Sequence, residues 1–332
     1  MRILITGSSG FIGSYIVQEA LNHKLDVYAG IRKTSNKQHL TDSRIKFLEL
    51  NLSNNTSLEA TLKEFKETVG DLDYIVHNAG VTKVVNVEDF NTVNYQYTRN
   101  FVEALRKAGH NIKKFVFIST LAASGPGAED GTAMKPSDQP HPIDAYGKSK
   151  LLAEEYLRSL TDVPHVILRP TGVFGPRDKD MFSFFDLINK KLEVHIGVNK
   201  QFLSLIYVKD LARAVIKACV SPMGNKTYFI SDNNKYDNFI FSNAIKNSLG
   251  KKTFVIKLPV FLLYLAAFIA QSVSKISGKP SPLNLEKVKI LKARNWYCDS
   301  TPFYRDMNFV PGYTLNEAIA ETVDWYKKEN WL

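Results

Sequence analysis

Short, continuously apolar runs alternate with helical patterns along the first half of the chain, and that alternation most narrows the folds open to it. RILIT (Arg2–Thr6), DVYAGIR (Asp26–Arg32), IKFLEL (Ile45–Leu50), LDYIVH (Leu72–His77) and KFVFIS (Lys114–Ser119) read as strands. They do not alternate apolar with polar, so helices are expected to cover both of their faces. Helical stretches at Ile12–Asn22, Ser57–Thr68, Thr92–Ala108 and Ala145–Leu160 separate them. Strand and helix in turn predict an α/β chain with a doubly wound parallel sheet. HVILRP (His165–Pro170) and KTYFIS (Lys226–Ser231) read as later strands of the same sheet. One domain is therefore expected over 1–170, rejoined by 206–231. The stretches 171–205 and 232–332, richer in Pro and Lys, are expected to form a smaller mixed domain.

The glycine turn GSSGFIG follows the first strand and opens the first helix, with Gly7, Gly10 and Gly13 in place. A tight turn needs the first glycine, a side chain at the second would block a pyrophosphate, and the helix N-terminus offers free N–H groups to it. In that strand–turn–helix setting the motif points to a dinucleotide. The second strand discriminates between dinucleotides. An NAD site usually has an acid at its end for the ribose 2′-OH, whereas this chain continues from Ile31 into Arg32 and Lys33 with no acid near. A guanidinium there suits a 2′-phosphate, so NADP(H) is favoured over NAD(H).

Tyr146 and Lys150 stand four residues apart in DAYGKSK. At that spacing two helical residues share a face, so Lys150 is expected beside Tyr146. Its charge would favour the phenolate of a group whose free pKa is about 10, and such a tyrosine can give a proton to a carbonyl oxygen or take one from an alcohol. The same spacing on an exposed amphipathic helix would be incidental.

Taken together, GSSGFIG, HNAG, VNYQYTRNFVEAL, VFISTLAASG, YGKSK, LRPTGVFGP and IYVKDLARAV occur in an order that resembles the extended short-chain dehydrogenase/reductases. That group includes the NAD-dependent epimerase/dehydratases. The resemblance covers about residues 1 to 215. Beyond them only the closing GYTLNEAIAETVDWYKKENWL is similar in character. It implies a Rossmann-type domain with a smaller C-terminal substrate domain. In it Tyr146 is the general acid/base and Lys150 both tunes that tyrosine and holds the nicotinamide ribose. A hydroxyl at the end of the fifth strand falls by register on Thr120, with Ser119 just before it. The resemblance also implies cofactor contacts from Ser9, Phe11 and Ile12 in the turn. Asn78, Ala79 and Gly80 follow the fourth strand, with Asn94 at the start of the fourth helix, where it could equally be an N-cap. Further contacts are implied at Leu52, Pro170 and Val173. Asn51 stands where the family often has an Asp for the adenine amino group, a departure that puts that contact in question.

Two further departures bear on the substrate. Gly172 in RPTGVFGP replaces an Asn of nucleotide-sugar enzymes, and Leu203 and Ser204 stand where those enzymes carry an Arg for a diphosphate, although Lys200 could substitute. The pocket therefore resembles the 3β-hydroxysteroid dehydrogenase and dihydroflavonol reductase branch, whose substrates are bulkier and less polar. A sugar epimerase or dehydratase that recycles its hydride is the alternative. So is a non-catalytic cofactor-sensing protein, although such proteins commonly have a damaged catalytic set. Members of the group often form homodimers through the fourth helix and the YGKSK helix.

Composition adds location and partners. The 332 residues, 44% hydrophobic and 23% charged, suit a globular chain with an ample core. Cys219 and Cys298 are the only cysteines, so neither a disulfide framework nor a CxxC metal site is expected. MRILITGSSG has no apolar stretch with a cleavage site, which makes the cytoplasm the expected location. The net charge of +10 is concentrated: Lys251 to Arg294 carries eight Lys and one Arg against Glu286, a net +8. With no basic base-reading helix and no zinc spacing, nucleic acid is not the expected partner. Inside that basic region lies LPVFLLYLAAFIAQSV (Leu258–Val273), whose apolar core, Val260 to Ala270, is too short to span a bilayer. It is expected to be a buried helix over the pocket, with a peripheral contact at the inner membrane face (through 251–294) or a subunit contact as the other readings.

Overall fold

In the first strand, β1 (Arg2–Thr6), Ile3 and Ile5 join one hydrophobic core and Leu4 joins the other, and all three are fully buried. This two-residue period on a strand covered on both sides organises the whole computed structural model, which describes residues 1–197, 200–281 and 283–332. Six more strands run parallel to β1: β2 (Asp26–Ile31), β3 (Lys46–Glu49), β4 (Tyr74–His77), β5 (Lys114–Ile118), β6 (His165–Pro170) and β7 (Lys226–Ile230). They lie side by side in the order β7-β6-β5-β4-β1-β2-β3. The order reverses between β1 and β4, and a crevice opens at the carboxyl ends of those strands.

Helices Phe11–Asn22 and Val208–Val220 cover the face of Ile3 and Ile5. Helices Asn55–Val69, Tyr97–Lys107 and Ala145–Arg158 cover the face of Leu4, burying Leu58, Phe101 and Leu157 there. Each such side chain contributes roughly 1.5–3 kcal/mol on leaving water. One expected strand departs from the pattern: β3 ends the sheet, Phe47 is 42% exposed, and only one of its edges is paired. An apolar run cannot by itself distinguish an edge from a centre.

The fourth helix also starts earlier than the pattern predicts. A helical turn at Glu88–Phe90 runs without a break into six π-helical residues, Asn91–Gln96, and then into Tyr97–Lys107. Asn94 is thus inside a widened turn and is not an N-cap.

After β6 the chain leaves the sheet. Gly172–Phe174 pairs in parallel with Leu205–Tyr207, and Phe202–Leu203 lies between Tyr236–Asp237 and Asn295–Trp296. Leu192–Ile196 pairs in parallel with Phe254–Leu258. The segment expected as a buried helix is instead an 18-residue helix, Val260–Ser277, in which only Leu263, Ala267 and Ser274 are buried. By length and composition, with a mean hydropathy of 1.6, it is long and apolar enough to cross a membrane.

Candidate active site

The glycine turn is a close approach of three backbones. Gly7 adopts φ +67°, and a Cβ on it would lie 2.8 Å from the Asn78 carbonyl carbon, so the turn sits directly on the chain leaving β4. A Cβ on Gly13 would fall 2.1 Å from the Gly7 carbonyl oxygen, which only glycine avoids as the helix packs against the turn. A Cβ on Gly10 would meet only that same oxygen, at 3.3 Å, so the space in front of the helix is open. Gly10 caps Phe11–Asn22 with no side-chain hydrogen bond, which leaves the first amide N–H groups free. An open cradle faced by free amides fits the pyrophosphate of a dinucleotide. Ser9, Phe11 and Ile12 line the turn half-buried, and Asn78 Nδ2 donates to the Gly7 carbonyl at 3.4 Å.

Beneath the cradle a hydrogen-bonded relay ties β1, β4 and the widened helix together. Ala79 N–H donates to Thr6 Oγ1 (3.2 Å), and Thr6 Oγ1 lies 2.8 Å from His77 Nδ1. On the other side His77 Nε2 lies 3.0 Å from Thr98 Oγ1, whose hydroxyl donates to the Asn94 carbonyl (2.8 Å). Since Thr98 donates onward, it accepts from His77 Nε2–H, and Nδ1 accepts from Thr6: a neutral ring completes the relay. Burial, with the Lys150 charge nearby, pushes the His77 pKa down to about 3. Asn94 then straps the loop after β4, accepting from Val81 N–H (2.9 Å) and donating to the Val81 carbonyl and to Ser149 Oγ (3.1 and 3.0 Å). His77 and Thr98 escaped the sequence reading, which took HNAG from its asparagine onward.

Tyr146, Lys150 and Thr120 come together at the carboxyl edge of β5. Asp144 caps the Ala145–Arg158 helix through Gly147 N–H (3.0 Å). Gly147 lets that helix close on the turn after β5, because a Cβ there would lie 2.3 Å from the Ala122 carbonyl oxygen. Ser119 is not free to meet a ligand: it is buried and donates to Glu154 Oε1 at 2.5 Å. Glu154 also receives both branches of Arg169, Nε at 2.9 Å and Nη2 at 2.5 Å, while Arg169 Nη1 reaches Ser124 Oγ at 2.9 Å. Thr120 is half-buried beside the Tyr146 phenol.

The electrostatics differ from the expectation of an acidified tyrosine. Burial raises the Tyr146 pKa to about 12, the neighbouring Thr120 hydroxyl offsets part of the rise, and Asp144 and Asp180 add to it. Burial also lowers Lys150 to about 7, with Glu154 opposing, and its ammonium lies over the Phe117 ring at 4.2 Å. Lys150 is not among the charges acting on Tyr146 here, and desolvation pushes each group toward its neutral form.

This has a consequence for stability. Lys150 titrates near 7 when folded against 10.5 when free. Between those values the unfolded chain holds the extra proton, so its contribution to stability rises with pH across that window. Replacing Lys150 with Met should remove that slope and stabilise the protein at neutral pH by a few kcal/mol, at about 1.4 kcal/mol per pKa unit. Urea unfolding of both proteins at pH 7 and pH 10 checks it, and parallel pH profiles would contradict it.

The remaining expected residues lie around this centre. Arg32 and Lys33 are exposed at the end of β2, with no ion pair among the described residues. Asn51 is exposed and accepts from Ser53 N–H and Oγ–H, at 3.2 and 2.7 Å. Leu52 is half-buried, with its carbonyl on Asn100 Nδ2. Pro170 is buried at the end of β6 and Val173 half-buried just beyond it. Lys200 approaches Asp237 at 3.8 Å, and Ser204 is buried with its hydroxyl on Cys298 N–H. Missed by the sequence reading were Glu154 and Arg169. Glu154, four residues after Lys150, was open to the helical-face argument, but Arg169 comes from a distant strand.

The model of the NAD dependent epimerase/dehydratase family matches residues 3–230, two-thirds of the chain, including the glycine turn, the His77 relay and the centre around Tyr146. The chain belongs to this family. Among its relatives is a ceramide reductase of Caulobacter vibrioides, 24% identical over 99% of this chain and 96% of the relative. A decarboxylating sterol-4-alpha-carboxylate 3-dehydrogenase of Saccharomyces cerevisiae is 25% identical over 97% of each. The fold matches the crystal structure of UDP-glucose 4-epimerase with UDP-glucose from Thermotoga maritima, with a TM-score of 0.79, 22% identity, and coverage of 99% of this chain and 100% of that one. The family member is thus an extended short-chain protein of an NAD-dependent family with the Rossmann-type sheet expected from its sequence.

Proposed function

We propose that this family member is an NADP(H)-preferring oxidoreductase that interconverts a secondary alcohol and a ketone on a bulky, apolar substrate. The observation that carries the reading is that Thr120, whose Oγ1 accepts from Ala122 N–H at 3.2 Å, stands beside the Tyr146 phenol while Ser119 is held away on Glu154. One oxygen of a substrate can then meet both hydroxyls. Thr120 orients it by a hydrogen bond, and Tyr146, protonated with its pKa near 12, donates to a carbonyl oxygen as that oxygen gains charge. In the opposite direction Tyr146 takes the alcohol proton, which requires Lys150 in its charged form to stabilise the phenolate. The neutral His77 relay and Asn94 hold the loop over which Lys150 extends. A bound nicotinamide would supply or accept the hydride, and Gly7, Gly10 and Gly13 with the helix N-terminus would hold its pyrophosphate.

The apolar substrate is supported by Gly172 and Leu203 at positions where a sugar diphosphate needs polar anchors, and by the engagement of Lys200 with Asp237. Relatives named for a ceramide and a sterol point the same way. Cofactor absorbance and product should be followed together, with steroid-like alcohols and, separately, nucleotide sugars. Net reduced cofactor with an apolar alcohol is the expected result. Sugar conversion with no net reduced cofactor would overturn the substrate reading in favour of an epimerase. For the cofactor, replacing Arg32 with Ala should raise KM for NADPH by about ten- to a hundred-fold and leave NADH nearly unchanged, the loss of one charge-assisted contact. Equal losses for both cofactors would remove the NADP(H) preference.

A further inference from the structure

The helix Val260–Ser277 turns an apolar stripe away from its own protein. Phe261, Leu265, Phe268, Ile269, Val273 and Ile276 recur at three- and four-residue steps, on one side of the helix, and are between 55% and 89% exposed. The opposite side seats Leu263 and Ala267 on Val288 of the helix Leu285–Lys292. On the strand that leads into the helix Phe254 is also 76% exposed. Exposed large apolar side chains gathered in this way mark an interaction face.

Charge identifies what covers it. Lys252 and Lys257 stand before the helix, Lys275 in its last turn and Lys279 just after it, all exposed and without an ion pair among the described residues. No Asp or Glu occurs between Lys251 and Asn284. We infer that this face docks on the surface of an anionic phospholipid bilayer, with the helix lying in the interface plane, its apolar side chains among the acyl chains and the lysines on the headgroups. An apolar stripe rimmed by lysines is the pattern that such a surface retains.

The helix lies on the membrane and does not cross it, because both of its ends belong to one folded body. The strand Phe254–Leu258 is paired with Leu192–Ile196, and after the helix Ser274 Oγ donates to the Lys279 carbonyl (2.6 Å) and Leu285 N–H to Gln271 Oε1 (3.3 Å). Spanning about 30 Å of hydrocarbon would require those ends on opposite sides of the bilayer. The docked face is also joined to the candidate site. Glu286, on the helix that carries Val288, accepts from Ala145 N–H (2.9 Å), at the first turn of the Tyr146 helix. The inference rests on the face alone and stands whether or not the substrate reading does.

Flotation of the full chain with phosphatidylcholine vesicles, with and without phosphatidylglycerol, tests it. The protein should float with the anionic vesicles, float at least about ten-fold less with the neutral ones, and be released at about 1 M salt, where screening shortens the reach of charge to about 3 Å. Combining Lys252→Glu, Lys257→Glu, Lys275→Glu and Lys279→Glu should weaken binding to anionic vesicles by about a hundred-fold or more, and Phe261→Ser with Phe268→Ser should abolish flotation. Absence of flotation by the unaltered chain, equal binding to neutral vesicles, or binding that survives high salt would overturn the inference. So would a dimer in sedimentation velocity that Phe261→Ser and Phe268→Ser split, since a second copy would then cover the face. The lipid and salt comparisons use the unaltered protein and hold even where a variant fails to fold.

Discussion

Replacing Tyr146 with Phe is expected to lower kcat by about 10²- to 10⁴-fold, the span that a positioned general acid supplies. The phenol hydroxyl is the only atom removed. The ring keeps its place against Phe90, at 5.8 Å between centroids, and the Asp144 cap and Gly147 contact that set the helix are untouched. Stability should therefore change little, and because the buried hydroxyl is relieved of its desolvation, the thermal midpoint should hold or rise slightly. KM should move far less than kcat, since proton donation is realised in the transition state and not in substrate binding. Replacing Thr120 with Val should instead raise KM together with a smaller fall in kcat, the mark of an oxygen that is misplaced and not unprotonated. Steady-state kinetics in the direction of ketone reduction decide it. A Tyr146→Phe protein that keeps more than about a tenth of wild-type kcat would mean that another group moves the proton.

The second large effect lies on stability. Glu154 and Arg169 are both essentially inaccessible, and the carboxylate takes two bonds from the guanidinium, one from Ser119 and one from Arg158 (3.0 Å). Replacing Glu154 with Ala strands the guanidinium in the core, with Ser124 and the Phe229 ring its remaining partners among the described residues. Breaking a buried pair from one side costs about 3–5 kcal/mol, mostly for the uncompensated charge left behind. Replacing both, Glu154→Leu with Arg169→Met, should recover most of that loss, because the desolvation of two charges goes with them. Urea unfolding of the single and double variants measures both values. A single variant as stable as the wild type would show that Arg169 finds water or another acceptor in the folded state. The single variant should also affect the site, for it frees the Ser119 hydroxyl and takes from Lys150 the one charge that raises its pKa.

Much of this protein was legible in one dimension because its logic is local. The seven strands, the glycine turn and the Tyr146–Lys150 spacing depend on neighbours within a few residues, so apolar runs, helical periods and the absence of a Cβ were enough to place them. The sequence by itself also determined the family, since seven motifs in order constrain a chain far more than any one of them.

Tertiary structure decided what depends on residues remote in sequence. That Ser119 is engaged, and not free to meet a ligand, turned on Glu154 and Arg169, brought from a helix and from β6. Whether Asn94 caps or straps turned on a π-helical turn that no periodicity announces. The phenol and the ammonium, expected to share charge, are each driven toward neutrality because burial outweighs the charges acting on them. The helix Val260–Ser277 shows the same limit from outside: composition established that it is apolar, but only packing could show that its own protein covers one narrow side and leaves the other exposed. Hydrophobicity is a property of a residue. Burial is a property of what the rest of the chain places next to it.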